Sequence, residues 1–172
     1  MYQDFKELLA ILNAEHVKYL VVGGYAVSLH AQPRATKDLD ILIKPDKANV
    51  EALFRALSKF GAPIEGLKPD DFAESGSFFR MGTPPVMVDI LPEITGVDFD
   101  NAWQRRAMGT IDAKTNLQAA FISADDLIAA KEAAGRPQDL ADAVALRKAQ
   151  STPKTDPKPK PTRRAKKTPP KP

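Results

Sequence analysis

The chain of 172 residues contains no cysteine. Disulfides, thiolate metal sites, cysteine nucleophiles and iron–sulfur clusters are therefore excluded. The first residues, MYQDFKELL, lack a basic segment followed by an apolar stretch, so no signal peptide is predicted. The longest uncharged run covers only 15 residues, 19–33, and holds two glycines, which makes it too short and too polar to cross a bilayer. We therefore expect a cytoplasmic protein that needs no membrane.

Acidic residues are almost absent from the last 22 residues, 151–172, which contain eight Lys or Arg and one Asp. This segment carries +7, and because the whole chain carries +3, residues 1–150 carry −4. The segment also holds seven of the 15 prolines and no aromatic residue. It cannot bury enough apolar surface to offset chain ordering, so we predict a disordered Pro/Lys-rich tail after a domain at 1–150. The tail would contact nucleic-acid phosphates or serve only as a solubilising extension.

Residues 1–150 alternate between helical and strand patterns. Asp4 and Glu7 predict a capping box at the start of a first helix. The further elements, in chain order, are a strand at 19–22, a helix at 25–30, a strand at 39–43, a helix from the Asp46 cap to Phe60, a loop at 61–76, strands at 78–80, 86–91, 110–112 and 117–122, and helices at 125–134 and 137–148. This order predicts an α/β (α+β) fold with a small mixed β-sheet flanked by helices, two of them C-terminal.

Three aspartates stand out in the strand patterns. Asp38-Leu39-Asp40 opens a strand, and the alternation of side chains places Asp38 and Asp40 on one face. Asp89 interrupts the otherwise apolar strand 86–91, where a carboxylate is costly unless a cation or a donor meets it. If these strands are neighbours, the three carboxylates converge and repel one another. Mg²⁺ or Mn²⁺ would relieve that repulsion, because both prefer oxygen ligands.

A purely structural role for these acids is the alternative. Asp38 would then cap a strand end, Asp40 would pair with Arg34 or Lys37, and Asp89 would pair with a buried arginine. Gly23-Gly24 is open in the same way. It lies between a strand and a helix, where a backbone without Cβ can approach a phosphate and the helix N-terminus supplies amides. It would equally serve as a tight turn.

These residues together resemble a known family. Gly23-Gly24, thirteen intervening residues, Asp38-Leu39-Asp40 and a later strand Asp89 are similar to the pattern of the polymerase β-type nucleotidyltransferase superfamily. The stretch VVGGYAVSLHAQPRATKDLDILI resembles more narrowly the small prokaryotic nucleotidyltransferases grouped with AbiEii-type toxins. The C-terminal stretch DDLIAAKEAAGRPQDLADAVAL resembles their closing helical motif. The resemblance covers about residues 5–148 and leaves the tail out.

The resemblance implies a nucleotidyltransferase fold and transfer of a nucleoside monophosphate from an NTP, with release of pyrophosphate. Asp38, Asp40 and Asp89 would be the catalytic residues and hold Mg²⁺ (or Mn²⁺). The NTP would be bound by residues of three segments, namely Gly23, Gly24, Arg34 and Lys131. The acceptor would be a tRNA 3′ end or a protein hydroxyl, and a cognate antitoxin would be a partner. A non-catalytic antitoxin-like or RNA-binding module on the same fold is the alternative.

Four further residues allow two interpretations each. Lys131 would reach the triphosphate or be a solvated helix lysine. Arg136 would fix the turn after Gly135 through Asp139, or contact nucleotide or acceptor. For His30 we favour a packed or capping role over that of a base, and for Trp103 we favour core packing over binding an acceptor together with its neighbouring arginines.

Overall fold

The computed structural model describes residues 1–33 and 35–152. Arg34 and most of the predicted tail, residues 153–172, lie outside the described residues. Within them the chain forms six α-helices, namely α1 (Gln3–Ala14), α2 (Gly23–His30), α3 (Lys47–Phe60), α4 (Phe99–Gln104), α5 (Ala124–Ala134) and α6 (Pro137–Ser151). It also forms six strands, namely β1 (Tyr19–Val21), β2 (Leu39–Ile43), β3 (Phe79–Thr83), β4 (Val86–Leu91), β5 (Ala107–Asp112) and β6 (Leu117–Phe121). No helix among these residues is both long and apolar enough to span a bilayer.

The strands form one sheet in the order β3-β4-β2-β1-β6-β5. β2 pairs with β4 in parallel and β1 pairs with β6 in parallel, whereas the other three neighbours are antiparallel. The predicted mixed sheet flanked by helices is therefore confirmed. β3 and β5 are the edge strands, and β2 and β4 lie side by side near one end of the sheet.

Local sequence signals account for several helix ends. The Asp46 side chain accepts a hydrogen bond from the Asn49 amide and caps α3, which ends at Gly61 in the left-handed conformation. Ser123 caps α5 in the same way, and Gly135 ends it. The predicted capping box of α1 is wrong, because the helix begins at Gln3 and no side chain caps it. Asp4 instead lies in the first turn, where a negative charge suits the helix dipole.

Two further predictions need correction in detail. The predicted loop at 61–76 contains a short 3-10 helix, Pro69–Ala73, whose Phe72 is buried. Between the predicted strands at 86–91 and 110–112, where no element was predicted, the chain forms α4, which Asp98 caps. Both short elements place an aromatic ring against the core, since Phe72 packs edge-on against Phe54 and Phe79.

The helices form two groups around the sheet. α1 contacts α3 and β6, whereas α2 contacts β2, α5 and α6. The largest fully buried side chains come from α1, α3, β1, β2 and β4. Asn49 ties the first group to the sheet, because its buried amide bonds the backbone of Lys18 before β1 and of Lys44 after β2. The second group, α2 with α5 and α6, is the one that meets the acidic strand β2.

Candidate functional site

The parallel pairing of β2 with β4 brings two of the predicted acids together. Asp40 and Asp89 are register partners on these neighbouring strands. Leu39 is fully buried, so the alternation along the chain leaves Asp38 and Asp40 on the other face. The Asp38 carboxylate accepts a hydrogen bond of 3.3 Å from the backbone N–H of Met87, at the start of β4. The two acidic strands are therefore neighbours, which is the condition that the sequence argument required.

The Asp40 carboxylate lies directly against the glycine pair. A Cβ on Gly23 would stand 1.8 Å from Asp40 Oδ2, so no other residue fits at Gly23 while Asp40 keeps its place. Gly23 also has φ +60°, a backbone conformation that side chains disfavour. The backbone N–H of Gly24 donates a hydrogen bond to Asp40. Here the start of α2 therefore meets a carboxylate, and contact of Gly23 and Gly24 with a phosphate stays a prediction.

Asp40 is electrostatically strained. Burial raises the pKa of Asp40 to about 6, and repulsion from Asp89 and then from Asp38 adds to the increase. The positive charge of Lys131 and the hydrogen bond from Gly24 act in the opposite direction but do not cancel it. A cation placed at this carboxylate would remove the penalty.

Asp89 pairs with an arginine, as the structural alternative expected, but that residue, Arg80 on β3, was not named from the sequence and is exposed instead of buried. Arg80 is the antiparallel register partner of Asp89, and its Nε and Nη2 donate to the two carboxylate oxygens at 2.6 Å each. Asp89 is 8% exposed, whereas the Arg80 side chain is 52% exposed. The bidentate contact raises the pKa of Arg80 and supplies the partner that a buried Asp89 needs. The sequence offered one signal for this pair: Arg80 belongs to the predicted strand that comes directly before the strand of Asp89.

The three acids fit a divalent cation by their chemistry. All their donors are carboxylate oxygens, the ligands of Mg²⁺ and Mn²⁺. The pKa of Asp40 is raised by burial and then by repulsion from Asp89 and Asp38, so a nearby cation would stabilise its charged form. Across residues 1–33 and 35–152, however, no three His, Asp or Glu side chains form a ready ligand cluster. Asp89, in its ion pair with Arg80, would have to reorient to join Asp38 and Asp40.

A cleft of about 680 Å³ adjoins this strand pair. Gly23, Gly24 and Asp40 line it on the sheet side, and residues of α5 and α6, including Lys131 and Asp139, line it from the other. Its volume is within the range of small-ligand sites. The structure thus brings together four of the predicted site residues in one cleft, with Asp89 beside Asp40 in the sheet.

Lys131 is neither a solvated helix lysine nor an unengaged phosphate ligand. Its side chain is 12% exposed, and its Nζ lies 2.6 Å from Asp139 Oδ1 and 3.1 Å from Asp142 Oδ2. Burial acts to raise the pKa of Asp139, but hydrogen bonds from Lys131 and Arg136 outweigh it and hold that pKa below its ordinary value. The predicted contact from Arg136 to Asp139 is present. Lys131 therefore joins α5 to α6 at the cleft.

The remaining residues have structural contacts. His30 Nε2 lies 2.7 Å from the carbonyl oxygen of Ile122, which agrees with the packed role. Trp103 stacks on Phe99, and the guanidinium of Arg106 lies 4.1 Å from its ring centroid. Trp103 thus contacts both an aromatic ring of the core and a cation.

The pKa of Asp40 yields a stability prediction. Because its folded-state pKa lies above the unfolded value, the unfolded chain loses that proton first, and this carboxyl lowers stability as pH rises from about 4 to 6. Asp40→Asn removes the effect. We therefore compare the free energy of unfolding in urea of Asp40→Asn with that of wild type. Between pH 4.5 and pH 7.5 this difference should shift in favour of the variant by about 1–2 kcal/mol. Asp70→Asn, at an exposed aspartate, should run parallel to wild type, and a constant Asp40→Asn difference would contradict the account.

The contacts of Lys131 yield a second stability prediction. Lys131→Met leaves Asp139 and Asp142 buried without their shared cation, so we expect a loss of about 3–5 kcal/mol in unfolding free energy. Lys148→Met, at an exposed lysine of α6, should cost less than about 1 kcal/mol. Urea denaturation of both variants is the measurement. Equal stability of the two would mean that Lys131 is not held in this network.

Comparison with known proteins identifies the family and the fold of the chain. The search of curated proteins returned no significant match. Among solved structures, the chain is similar to an antigenic nucleotidyltransferase-like protein from Paracoccidioides brasiliensis, with a TM-score of 0.50 and 18% sequence identity over 84% of this chain and 72% of the other. That likeness shows a shared fold. Residues 2–151 match the family described as nucleotidyltransferase of unknown function (DUF6036), so the chain belongs to this nucleotidyltransferase family.

Proposed function

We propose that the protein is a metal-dependent nucleotidyltransferase that transfers a nucleoside monophosphate from an NTP to a hydroxyl of an RNA or a protein. The observation that carries the proposal is the register pairing of Asp40 with Asp89, next to Gly23. Burial, and then repulsion from Asp89 and Asp38, raises the pKa of Asp40, so the charge of Asp40 does not stabilise the fold. Family membership supports nucleotidyl transfer as the general reaction.

Asp38 and Asp40 would hold Mg²⁺ or Mn²⁺, and Asp89 would complete the site on the acceptor side. When bound, such ions neutralise the triphosphate and favour departure of pyrophosphate. The cleft beside Asp40 would receive the nucleotide. Lys131 lines that cleft, so its charge lies where a polyanionic triphosphate would enter. The N–H groups at the start of α2 would donate to phosphate oxygens in place of the Asp40 carboxylate.

The proposed transfer forms one bond and breaks one. The acceptor hydroxyl oxygen bonds to the α-phosphorus of the NTP, and the bond from that phosphorus to the bridging oxygen of pyrophosphate breaks. The hydroxyl proton passes to the carboxylate of Asp89. The protein contributes mainly by positioning the two reactants and balancing their charge. Arg80 occupies one acceptor site on each of these two oxygens, so release from Arg80 would make Asp89 a better proton acceptor.

The resemblance to toxin-like relatives extends the proposal to a toxin–antitoxin or defence setting, with a cognate antitoxin as partner. The eight cations after residue 150 would add salt-dependent attraction to an RNA acceptor. Residues 1–150 carry a net charge of −4, so attraction to RNA has to come from local cations and from the tail.

One observation favours a second candidate function, a non-catalytic module that binds RNA or a protein partner. Both carboxylate oxygens of Asp89 are bound by Arg80, and Asp40 accepts a hydrogen bond from Gly24. In a protein where these contacts are permanent, the acids would stabilise the fold and would not bind a metal ion.

The test is transfer of label from each α-³²P-labelled NTP, with Mg²⁺, to total RNA or to protein in a lysate. We expect wild type to label one class of acceptor and Asp40→Asn to label it at least about 100-fold more slowly, because a ligand of the metal is lost. Asp70→Asn is the matched exposed control and should retain activity.

A binding measurement accompanies the transfer assay. Mn²⁺ with NTP should raise the melting temperature of wild type by mass action and leave that of Asp40→Asn unchanged. If wild type neither transfers label nor responds to Mn²⁺ with NTP, the second candidate is favoured.

A further inference from the structure

An exposed aromatic ring stands beside the acidic strands on the edge of the sheet. Phe78 precedes β3 and is 54% exposed, whereas its neighbour Phe79 turns inward and packs against Phe72. Phe78 and Arg80 are both exposed and lie next to each other. The guanidinium carbon of Arg80 lies 5.3 Å from the Phe78 ring centroid. Ring, guanidinium and the Asp89 carboxylate therefore form a continuous row, which we call the edge platform.

The fold does not account for Phe78. Phe79, not Phe78, packs against the hydrophobic core, and no other aromatic ring among the described residues packs on Phe78. A large apolar side chain that is half exposed gains little from burial. Arg80 alone suffices to pair with Asp89. The exposed ring is therefore available to a ligand.

We propose that the edge platform binds the 3′ end of a single-stranded nucleic acid, with its terminal base stacked on Phe78 and a phosphate held by Arg80. This inference rests on the proposed function and names the acceptor for it. Exposed aromatic rings and arginine planes are the groups on which unpaired bases stack. Arginine also binds phosphate in a bidentate manner.

The position of the platform suits an acceptor more than the NTP. The nucleotide cleft is lined by Gly23, Asp40 and Lys131 and does not include Phe78 or Arg80. The platform instead adjoins Asp89, the acid assigned to the acceptor hydroxyl. In a 3′-terminal nucleotide the base and the hydroxyl belong to one unit, so stacking on Phe78 brings the hydroxyl toward Asp89.

Charge favours a nucleic acid over a protein acceptor. Residues 1–150 carry −4, so a polyanion needs a cation at the point of contact, and Arg80 is 52% exposed there. The eight cations of residues 151–172 add sequence-independent attraction that suits a polyphosphate chain. A phosphate on Arg80 also competes with Asp89 for the guanidinium. Acceptor binding would thereby release the Asp89 carboxylate only when a hydroxyl is in place.

The test measures binding without catalysis. Fluorescence anisotropy of the full chain with a 5′-labelled single-stranded 12-nucleotide RNA, in EDTA and without NTP, gives Kd. We expect Phe78→Ala to weaken binding about 5- to 100-fold, the range of one lost base stack. Phe78→Tyr should bind within about twofold of wild type because it keeps the ring. Met108→Ala, at a 56% exposed side chain on edge strand β5, should bind like wild type.

A matched probe locates the contact. An RNA whose 3′-terminal nucleotide is abasic should bind wild type and Phe78→Ala with equal affinity, since the stacked base is missing. The inference is overturned if Phe78→Ala binds intact RNA as tightly as wild type, or if only protein becomes labelled in the transfer assay.

The two proposals fail in distinguishable ways. Phe78→Ala should keep the wild-type melting response to Mn²⁺ with NTP, because Phe78 lies outside the nucleotide cleft. A normal response combined with RNA binding indifferent to Phe78 would overturn the acceptor inference alone. RNA binding that depends on Phe78 with no metal response in wild type would overturn the transfer reaction alone.

Discussion

The parallel pairing of β2 with β4 determines the chemistry of this protein, because it sets Asp40 and Asp89 side by side. Burial makes the charge of Asp40 costly, and repulsion between the two carboxylates at neighbouring register positions adds to that cost. The surrounding structure compensates each acid separately. Arg80 binds Asp89 through two hydrogen bonds, and the Gly24 N–H binds Asp40. The close approach to Asp40 in turn requires a glycine at position 23.

A second buried charge network holds the opposite wall of the cleft. Lys131 on α5 bridges Asp139 and Asp142 on α6. Its charge also opposes, in part, the increase in the pKa of Asp40. The same ammonium group thus couples the two helices to the acidic strand. An incoming triphosphate would find this cation already positioned, so little side-chain ordering would be needed on binding.

Local rules predicted much of the fold. The ends of α3 and α5 depend on contacts within a few residues, and such contacts can be predicted from a sequence. Asp46 and Gly61 bound α3, and Ser123 and Gly135 bound α5. The placement of Asp38 and Asp40 on one face of a strand was predictable for the same reason. The α1 start was wrong because Asp4 and Glu7 satisfy a short motif that the helix, beginning at Gln3, does not use.

Contacts between distant elements were not predictable in this way. The pairing of Arg80 with Asp89 depends on the register of a hairpin, and the burial of Lys131 depends on how α6 folds back after Gly135. Phe78 and Phe79 are identical residues in sequence, and only the orientation of β3 decides which ring packs on Phe72. These long-range choices determine which cations the acids meet, so the electrostatics of the site required the structure.

The central claim is that Asp38, Asp40 and Asp89 are the ligands of a nucleotide-bound metal ion. A crystal structure at pH 7.5 with Mn²⁺ and an α,β-methylene NTP analogue tests it most directly, because manganese is located by its anomalous scattering. The account predicts manganese bound by Asp38 and Asp40, with the Asp89 carboxylate turned from Arg80 toward the same site. The account is contradicted if, at saturating Mn²⁺ and analogue, no manganese lies at these acids and the Arg80–Asp89 and Gly24–Asp40 contacts are intact.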